Sequence, residues 1–342
     1  MRASFLIPGD LQRKTGGYGY DRRVIAEAMK LGVTLAPVAL PAGFPFPNES
    51  ERAETLRIVQ SLASDAPALI DGLAFGAFDD AILDAMPDRV IALVHHPLAY
   101  ENGLTDDQVA RLRASERAAL ACADAVIVTS IATRDSLIAD FNVPATQIVV
   151  AVPGTDEAPF AHGSGESWPV IFGAGSLTPR KAWHVLIEAL APLAEREWQL
   201  ILAGHGPERE RLQALVTALG LSQRVSFLGE IDDAMLSACY DRADLFVLPS
   251  LYEGFGMVLT EAIARGLACV ATSGVVATRH LPEGAVRIVP ANDCANLSEA
   301  IATLLNAEAR ATLRAHARAA APLLQRWNET TQIIIDTVRR VA

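Results

Sequence analysis

Short apolar runs alternate with longer stretches of helical periodicity from one end of the chain to the other, and this alternation restricts the fold more than any single motif does. A strand that is apolar along its whole length must be covered on both faces, which is the situation of a parallel sheet flanked by helices. Runs at 3–7, 34–40, 68–72, 90–94, 125–129 and 148–152 fill the first half, and runs at 170–173, 199–203, 225–228, 245–248, 268–271 and 287–289 fill the second. Two such sets predict an α/β protein made of two Rossmann-like, doubly wound parallel-sheet domains. The length agrees, because 342 residues exceed what one hydrophobic core supports. The segment 153–169 is rich in Gly and Pro and has no period, so it reads as the link between a domain at 1–160 and another at 165–324. Ligands of doubly wound sheets bind beyond the carboxyl ends of the strands, so the chemistry is expected at strand ends and in a cleft that two facing domains would share.

Composition narrows the class further. Hydrophobic residues make up 51% of the chain and the formal net charge is −11, which argues against a nucleic-acid surface. Cys122, Cys239, Cys269 and Cys294 are scattered without a CxxC or a histidine at ligand spacing, so neither a zinc site nor a disulfide framework is expected, and a reducing cytoplasm fits. The first residues carry too short an apolar run for a signal peptide, and no run of 18 apolar residues occurs. Peripheral contact with the inner face of a membrane stays open.

Four strand ends carry candidate chemistry. In the last of them, Glu253 and Glu261 bracket a segment holding Gly254, Phe255, Gly256, Met257 and Val258, which follows the strand at 245–248 and leads into a helix closed by Gly266. Glu253 is expected on the loop and Glu261 in the helix. Eight positions correspond to roughly 12 Å of helix, a spacing suited to the two ends of one elongated ligand. Gly254 and Gly256 let backbone N–H groups approach an anion at the helix N-terminus. Hydroxyls at both ends and phosphate between them describe a nucleotide-sugar.

The turn after the strand at 170–173 ends in Arg180 and Lys181, ahead of a helix expected at 184–193. Adjacent cations at a helix start oppose the macrodipole, an inconsistency that an anionic ligand such as a pyrophosphate would remove. Gly16 and Gly17 follow the first strand and precede a helix expected from about Tyr20, where they either form a tight turn or bring amides close to a ligand. His95 and His96 stand where the strand at 90–94 stops, and His95 either bonds the backbone or meets a substrate hydroxyl. Gly204, in the loop that closes the strand at 199–203, could line a nucleotide pocket. The remaining histidines, at 162, 184, 205, 280 and 316, form no constellation.

With these residues assembled, the chain resembles the retaining GT-B glycosyltransferases of family 4, also described as glycosyl transferases group 1. The resemblance runs through GSLTPRK at 175–181, LILAGHGPERERLQALV at 200–216, VSFLGEI at 225–231, ADLFVLPSLYEGFGMVLTEAIARGLACVAT at 243–272 and the tail WNETT at 327–331. It is weaker in the first half, where it rests on the Gly16-Gly17 loop and the position of His95. The resemblance implies that Glu261 bonds ribose hydroxyls, that Glu253 contacts hydroxyls of the donor sugar, and that the amides of residues 255–258 approach sugar and phosphates. It also implies that Lys181 binds the diphosphate. The family's companion arginine often stands where this chain has Ser176, which leaves Arg180 as the candidate for that charge. The C-terminal helix, at about 325–342, is expected to cross back onto the first, acceptor-binding domain, while the second domain binds the nucleotide-sugar.

The expected function is transfer of a hexose from a nucleoside-diphosphate-sugar to a hydroxyl of a small-molecule, glycan or lipid-linked acceptor, with retention and without a metal or other cofactor. Arg180, Lys181, Glu253 and His95 are the catalytic candidates, and Gly16, Gly17, Gly204, Gly254, Phe255, Gly256, Met257, Val258 and Glu261 the donor-binding ones. Alternatives are a GT-B nucleotide-sugar epimerase or hydrolase, or a non-catalytic nucleotide-sugar-binding protein. Acceptor choice is expected to reside in the first-domain loops at 41–48 and 100–107.

Overall fold

The computed structural model describes residues 1–63, 66–101 and 103–342, so residue 102 of the loop at 100–107 lies outside it. The chain divides into two compact units, Met1–Gly154 with Gln325–Ala342, and Thr155–Leu324.

The first unit is built on a six-stranded, wholly parallel sheet. Its strands are β1 (Arg2–Pro8), β2 (Thr34–Leu40), β3 (Ala68–Asp71), β4 (Val90–Val94), β5 (Ala125–Val128) and β6 (Ile148–Val150), in the order β2-β1-β3-β4-β5-β6. Chain order reverses at β1, so the switch point lies between β1 and β3, where helices leave on opposite faces and open a crevice. Every residue of β3, β4 and β5 is buried, the physical counterpart of their uninterrupted apolar runs. The helix after β1 runs Gly16–Lys30 and so starts earlier than expected. Thr15 caps it by accepting from the Tyr18 N–H at 3.4 Å, which places Gly16 and Gly17 inside the first turn rather than in a loop before it.

The helix Trp327–Val341 belongs to this unit. Its Ile334, Ile335 and Val338 are fully buried. Trp327 meets the Tyr20 ring edge-on at 5.6 Å, and Thr330 donates from Oγ1 to the Val152 carbonyl at 2.8 Å. Gly154 lies so close beneath Trp327 that a Cβ there would sit 2.4 Å from its Cα.

The second unit repeats the plan with a second parallel six-stranded sheet. Here β7 (Val170–Ala174), β8 (Gln199–Ala203), β9 (Val225–Gly229), β10 (Leu245–Leu248), β11 (Ala268–Thr272) and β12 (Arg287–Val289) are arranged β12-β11-β10-β7-β8-β9. This is the dinucleotide-fold order, with the switch point between β7 and β10. The segment read as a linker is not a free tether. Ala161 donates its N–H to the Arg265 carbonyl at 2.8 Å and Gly163 donates to the Asp241 carbonyl at 2.9 Å, which ties the middle of the segment to the second unit.

Candidate active site

In the second unit, the turn after β7 and the loop after β10 emerge on either side of the switch point and are stitched together. Leu251 donates its N–H to the Arg180 carbonyl at 2.8 Å, and the Arg180 guanidinium donates to the Tyr252 carbonyl at 2.9 Å. Arg180 and Lys181 lie in the 3-10 turn Pro179–Lys181, and the helix that follows runs Trp183–Leu190 before tightening into a second 3-10 turn at Ala191–Leu193. Ala182 joins the two in a left-handed conformation, with φ of 51°.

Lys181 is buried and donates from Nζ to Glu253 Oε1, while Arg180 Nη1 stands 3.4 Å from Glu253 Oε2. Ser250 donates from Oγ to the same Oε1 at 2.7 Å. This corrects one step of the sequence argument. The cations are not left uncompensated at a helix start, because Glu253 neutralises one of the two charges. A buried carboxylate is otherwise costly, and here it meets three donors. The cluster keeps one net positive charge.

The glycines have steric reasons that can be read directly. Gly256 caps the helix Met257–Ala264 at φ 104°, and no side chain caps that helix, so the backbone N–H groups of its first turn face out of the N-terminus without a side-chain acceptor. A Cβ on Gly256 would stand 2.7 Å from Val275. Gly204, at φ 148°, packs its backbone on the turn after β7, where a Cβ would fall 1.8 Å from the Gly175 carbonyl oxygen. Phe255 is buried and accepts at its carbonyl from the Ala277 N–H at 2.8 Å.

Glu261 lies within the helix and has a separate set of partners. The Tyr240 hydroxyl stands 3.0 Å from Glu261 Oε2 and 3.1 Å from the Val258 carbonyl, and the Arg265 guanidinium stacks over the Tyr240 ring at 4.7 Å. Burial raises the Glu261 carboxyl above the ordinary range, against the opposing pull of the Tyr240 hydroxyl and Arg265. The two glutamates therefore share no partner, and each sits in its own polar setting.

Gly16, Gly17 and His95 belong to the first unit. His95 directly follows β4, and its ring lies against Gly17, where a Cβ would stand 3.3 Å from Cδ2. Two residues that sequence patterning did not single out surround it. Asp21, fully buried, places Oδ1 3.1 Å from His95 Nε2, and Asp71, at the end of β3, places Oδ2 4.0 Å from the same nitrogen. Asp71 Oδ1 accepts the Leu73 N–H at 2.7 Å. Burial, with Asp21 adding to it, raises Asp71 to about 7. Burial pulls His95 down, but Asp21 and Asp71 outweigh it and hold the ring above the ordinary histidine value. Among the described residues these three are the group whose side chains could together hold a metal ion. Positions 21, 71 and 95 are too far apart in sequence for any spacing rule to reveal them.

Comparison with known proteins places this geometry. Residues 154–322, nearly the whole of the second unit, match the family model described as Glycosyl transferases group 1. A phosphatidyl-myo-inositol mannosyltransferase of Mycobacterium leprae is 40% identical over 131 residues, covering 37% of this chain and 34% of that relative. This chain spans 34% to 48% of the length of that protein and two other curated relatives, a mannosylfructose-phosphate synthase and a glycosyltransferase of Methanocaldococcus jannaschii. The fold extends over the whole chain. Sucrose-phosphate synthase from Thermosynechococcus elongatus superposes with a TM-score of 0.85 at 21% identity, covering 99% of this chain and 98% of that one. HepE from Anabaena in complex with UDP-glucose superposes at 0.78 and 20% identity, covering 99% and 100%. The fold is GT-B, with a Rossmann-like domain in each unit. Among the described residues no helix is long and apolar enough to cross a membrane.

Proposed function

We propose that the protein transfers a hexose from a nucleoside-diphosphate-sugar to an acceptor hydroxyl, with retention of anomeric configuration and without a metal ion. The observation that carries this reading is the Arg180, Lys181 and Glu253 cluster at the β7/β10 switch point. It lies in the same unit as an uncapped helix N-terminus at Gly256, and both are positive elements suited to a diphosphate. The solved neighbours include a UDP-glucose complex, and several relatives are named as mannosyl- or glycosyltransferases, which supports the class of donor and of reaction.

The demanding part of the chemistry is charge. As the glycosidic bond breaks, both its electrons pass to the phosphate oxygen, and the anomeric carbon becomes oxocarbenium-like. Lys181, Arg180 and the Gly256 helix end stabilise the leaving diphosphate, which grows more negative in the transition state than in the ground state. The acceptor oxygen then bonds to the anomeric carbon from the face the diphosphate leaves, and its proton passes to that departing oxygen. No second carboxylate is required as base. Binding of the diphosphate gives Lys181 a second anionic partner, which loosens its hold on Glu253 and frees that carboxylate to accept from a sugar hydroxyl. Glu261 accepts from ribose. The acceptor is a small molecule, a glycan or a lipid-linked sugar bound by the first unit.

The test is to incubate the protein with a panel of nucleotide-sugars and candidate acceptors in excess EDTA and to read the anomeric proton couplings of any product by NMR. Product with the donor's configuration is expected. An inverted product, or turnover that returns only when magnesium or manganese is added, would overturn the corresponding part of the proposal. Donor consumed without acceptor would instead indicate a hydrolase or epimerase.

A further inference from the structure

The crevice of the first unit lies between β1 and β3, and Asp21, Asp71 and His95 gather beside it, on the helix after β1 and at the ends of β3 and β4. We propose that Asp21 and Asp71 are positioning residues that share one proton between their carboxyls and keep His95 doubly protonated, so that the ring presents a fixed N–H donor at this edge. The donor's target is a phosphate or hydroxyl oxygen of the bound substrate, and this identification alone rests on the glycosyltransferase reading.

Charge accounting leads to this arrangement. Two carboxylates and a neutral imidazole in this space would place two negative charges in a buried site, which is prohibitive without compensation. One proton on His95 and one on Asp71 leave a neutral cluster. Asp21 Oδ2 is buried without a hydrogen-bond partner, and a protonated Asp71 in the same cluster, whose ligand atoms lie within 4.8 Å of one another, can supply one. Asp21 Oδ1, 3.1 Å from Nε2, then accepts a charge-assisted bond from the ring. Leu73 holds Asp71 through its backbone N–H, which fixes the geometry of the pair.

Among the described residues, Asp21 and Asp71 are the charged groups that act on the ring. From the helix Gly16–Lys30, Tyr20 packs edge-on to His95 at 5.2 Å while its hydroxyl donates to the Ala151 carbonyl, and Tyr18 donates its hydroxyl to the Pro8 carbonyl at 2.6 Å. From the loop after β1, Asp10 and Arg13 act on Tyr18 with opposite sign. Beyond β5, Thr129 and Thr133 donate hydroxyls to the His95 carbonyl and leave the ring alone. The C-terminal helix contributes Trp327, which packs on Tyr20. With Nε2 committed to Asp21, the ring's other polar edge is Nδ1, and in the doubly protonated state it donates. His95 in this state is an electrostatic and hydrogen-bonding group, and it cannot act as a general base.

The experiment is NMR of the full chain with nitrogen-15 in its histidines, the His95 signals assigned with His95→Gln. His95 is expected to show the doubly protonated pattern at pH 7, to remain so to higher pH than an unperturbed histidine, and to lose its second proton at lower pH in Asp21→Asn than in the wild type, because the nearer of its two acidic partners is gone. Asp71→Asn, whose amide replaces the proposed carboxyl proton by an N–H donor, should keep His95 doubly protonated. A neutral His95 at pH 7 in the wild type would overturn the proposal. So would a neutral ring in Asp71→Asn, since it would mean that Asp71 acts as a carboxylate. Stoichiometric broadening of the His95 signals by manganese would overturn it in favour of a cation site. None of these readouts needs a substrate, so they stand apart from a failure to bind nucleotide. In turnover, kcat of Asp21→Asn should fall about 100-fold at pH 8 with KM little changed, and its alkaline limb should move to lower pH. A proportional loss at every pH would assign Asp21 a merely structural role.

Discussion

Glu253 and Glu261 differ in the company they keep, and that difference sets what each substitution should do. Glu253 is held by Lys181, Arg180 and Ser250, and Glu261 by Tyr240. Glu261→Gln should weaken both free nucleoside diphosphate and nucleotide-sugar, because ribose is present in each. Glu253→Gln should leave the free nucleoside diphosphate bound about as well as before, or better, because the diphosphate now supplies the only full negative charge facing two cations. The same variant should have a lowered melting temperature without ligand, since a buried pair broken on one side costs about 3–5 kcal/mol, and a larger rise on adding nucleoside diphosphate. Calorimetry and melting curves with both variants check this. Equal losses of nucleoside diphosphate affinity in the two would remove Glu253 from the sugar end.

At the scale of elements, close backbone approaches and one buried carboxyl give the sharpest expectations. Gly204→Ala should disrupt the packing of the loop after β8 on the turn after β7, because the Cβ would fall 1.8 Å from the Gly175 carbonyl oxygen at a φ of 148° that alanine resists. Nucleoside diphosphate affinity should drop by at least about tenfold, read by calorimetry, and an unchanged affinity would show that the two loops do not shape the donor site. In the first unit, Glu116 on the helix Asp106–Ala121 accepts the Leu98 N–H at 2.9 Å and pins the start of the 3-10 turn Leu98–Tyr100. Burial raises its carboxyl from 4.5 to about 8. A raised acid binds its proton more tightly folded than unfolded. Its contribution to stability is therefore full below the unfolded value and is lost as pH rises from about 4.5 to about 8. Glu116→Gln removes that slope, so its melting temperature relative to wild type should increase between pH 5 and pH 8. A constant difference across that range would contradict the assignment.

The elements also show what sequence could and could not disclose. All twelve strands were legible, the central β3, β4 and β5 because a strand buried on both faces must be apolar throughout, and the partly exposed β6, β9 and β12 as short apolar runs between helical stretches. The start of the first helix was not, since Gly16 and Gly17 signal a loop until Thr15 is seen to cap them. The segment 153–169 has the composition of a tether, yet the N–H groups of Ala161 and Gly163 found carbonyls on the second unit. Of the proposed donor site, Lys181, Glu253 and Glu261 stood out in the sequence as motif residues, whereas the pairing of Lys181 with Glu253 across 72 positions depends on the sheet order. Asp21 and Asp71 were hidden for the same reason, being ordinary acids in their own segments and special only where β1, β3 and β4 end together.

On the scale of the whole molecule, one architectural plan is used twice with different strand orders, and each unit places its polar cluster beside its own switch point. The second unit combines a net positive cluster with a helix N-terminus that no side chain caps, and we assign the nucleoside diphosphate to it. The central claim is that the net positive cluster around Lys181 binds this diphosphate without the help of a metal. The direct measurement is calorimetric titration of the wild type and of Lys181→Ala with uridine, guanosine, adenosine and thymidine diphosphates in the presence of EDTA. The account predicts one site for at least one of these nucleotides in the wild type, with affinity about 10- to 100-fold weaker in Lys181→Ala, the cost of one lost charge-assisted hydrogen bond. Equal affinity in the two proteins, or binding that disappears in EDTA and returns with magnesium, would contradict it.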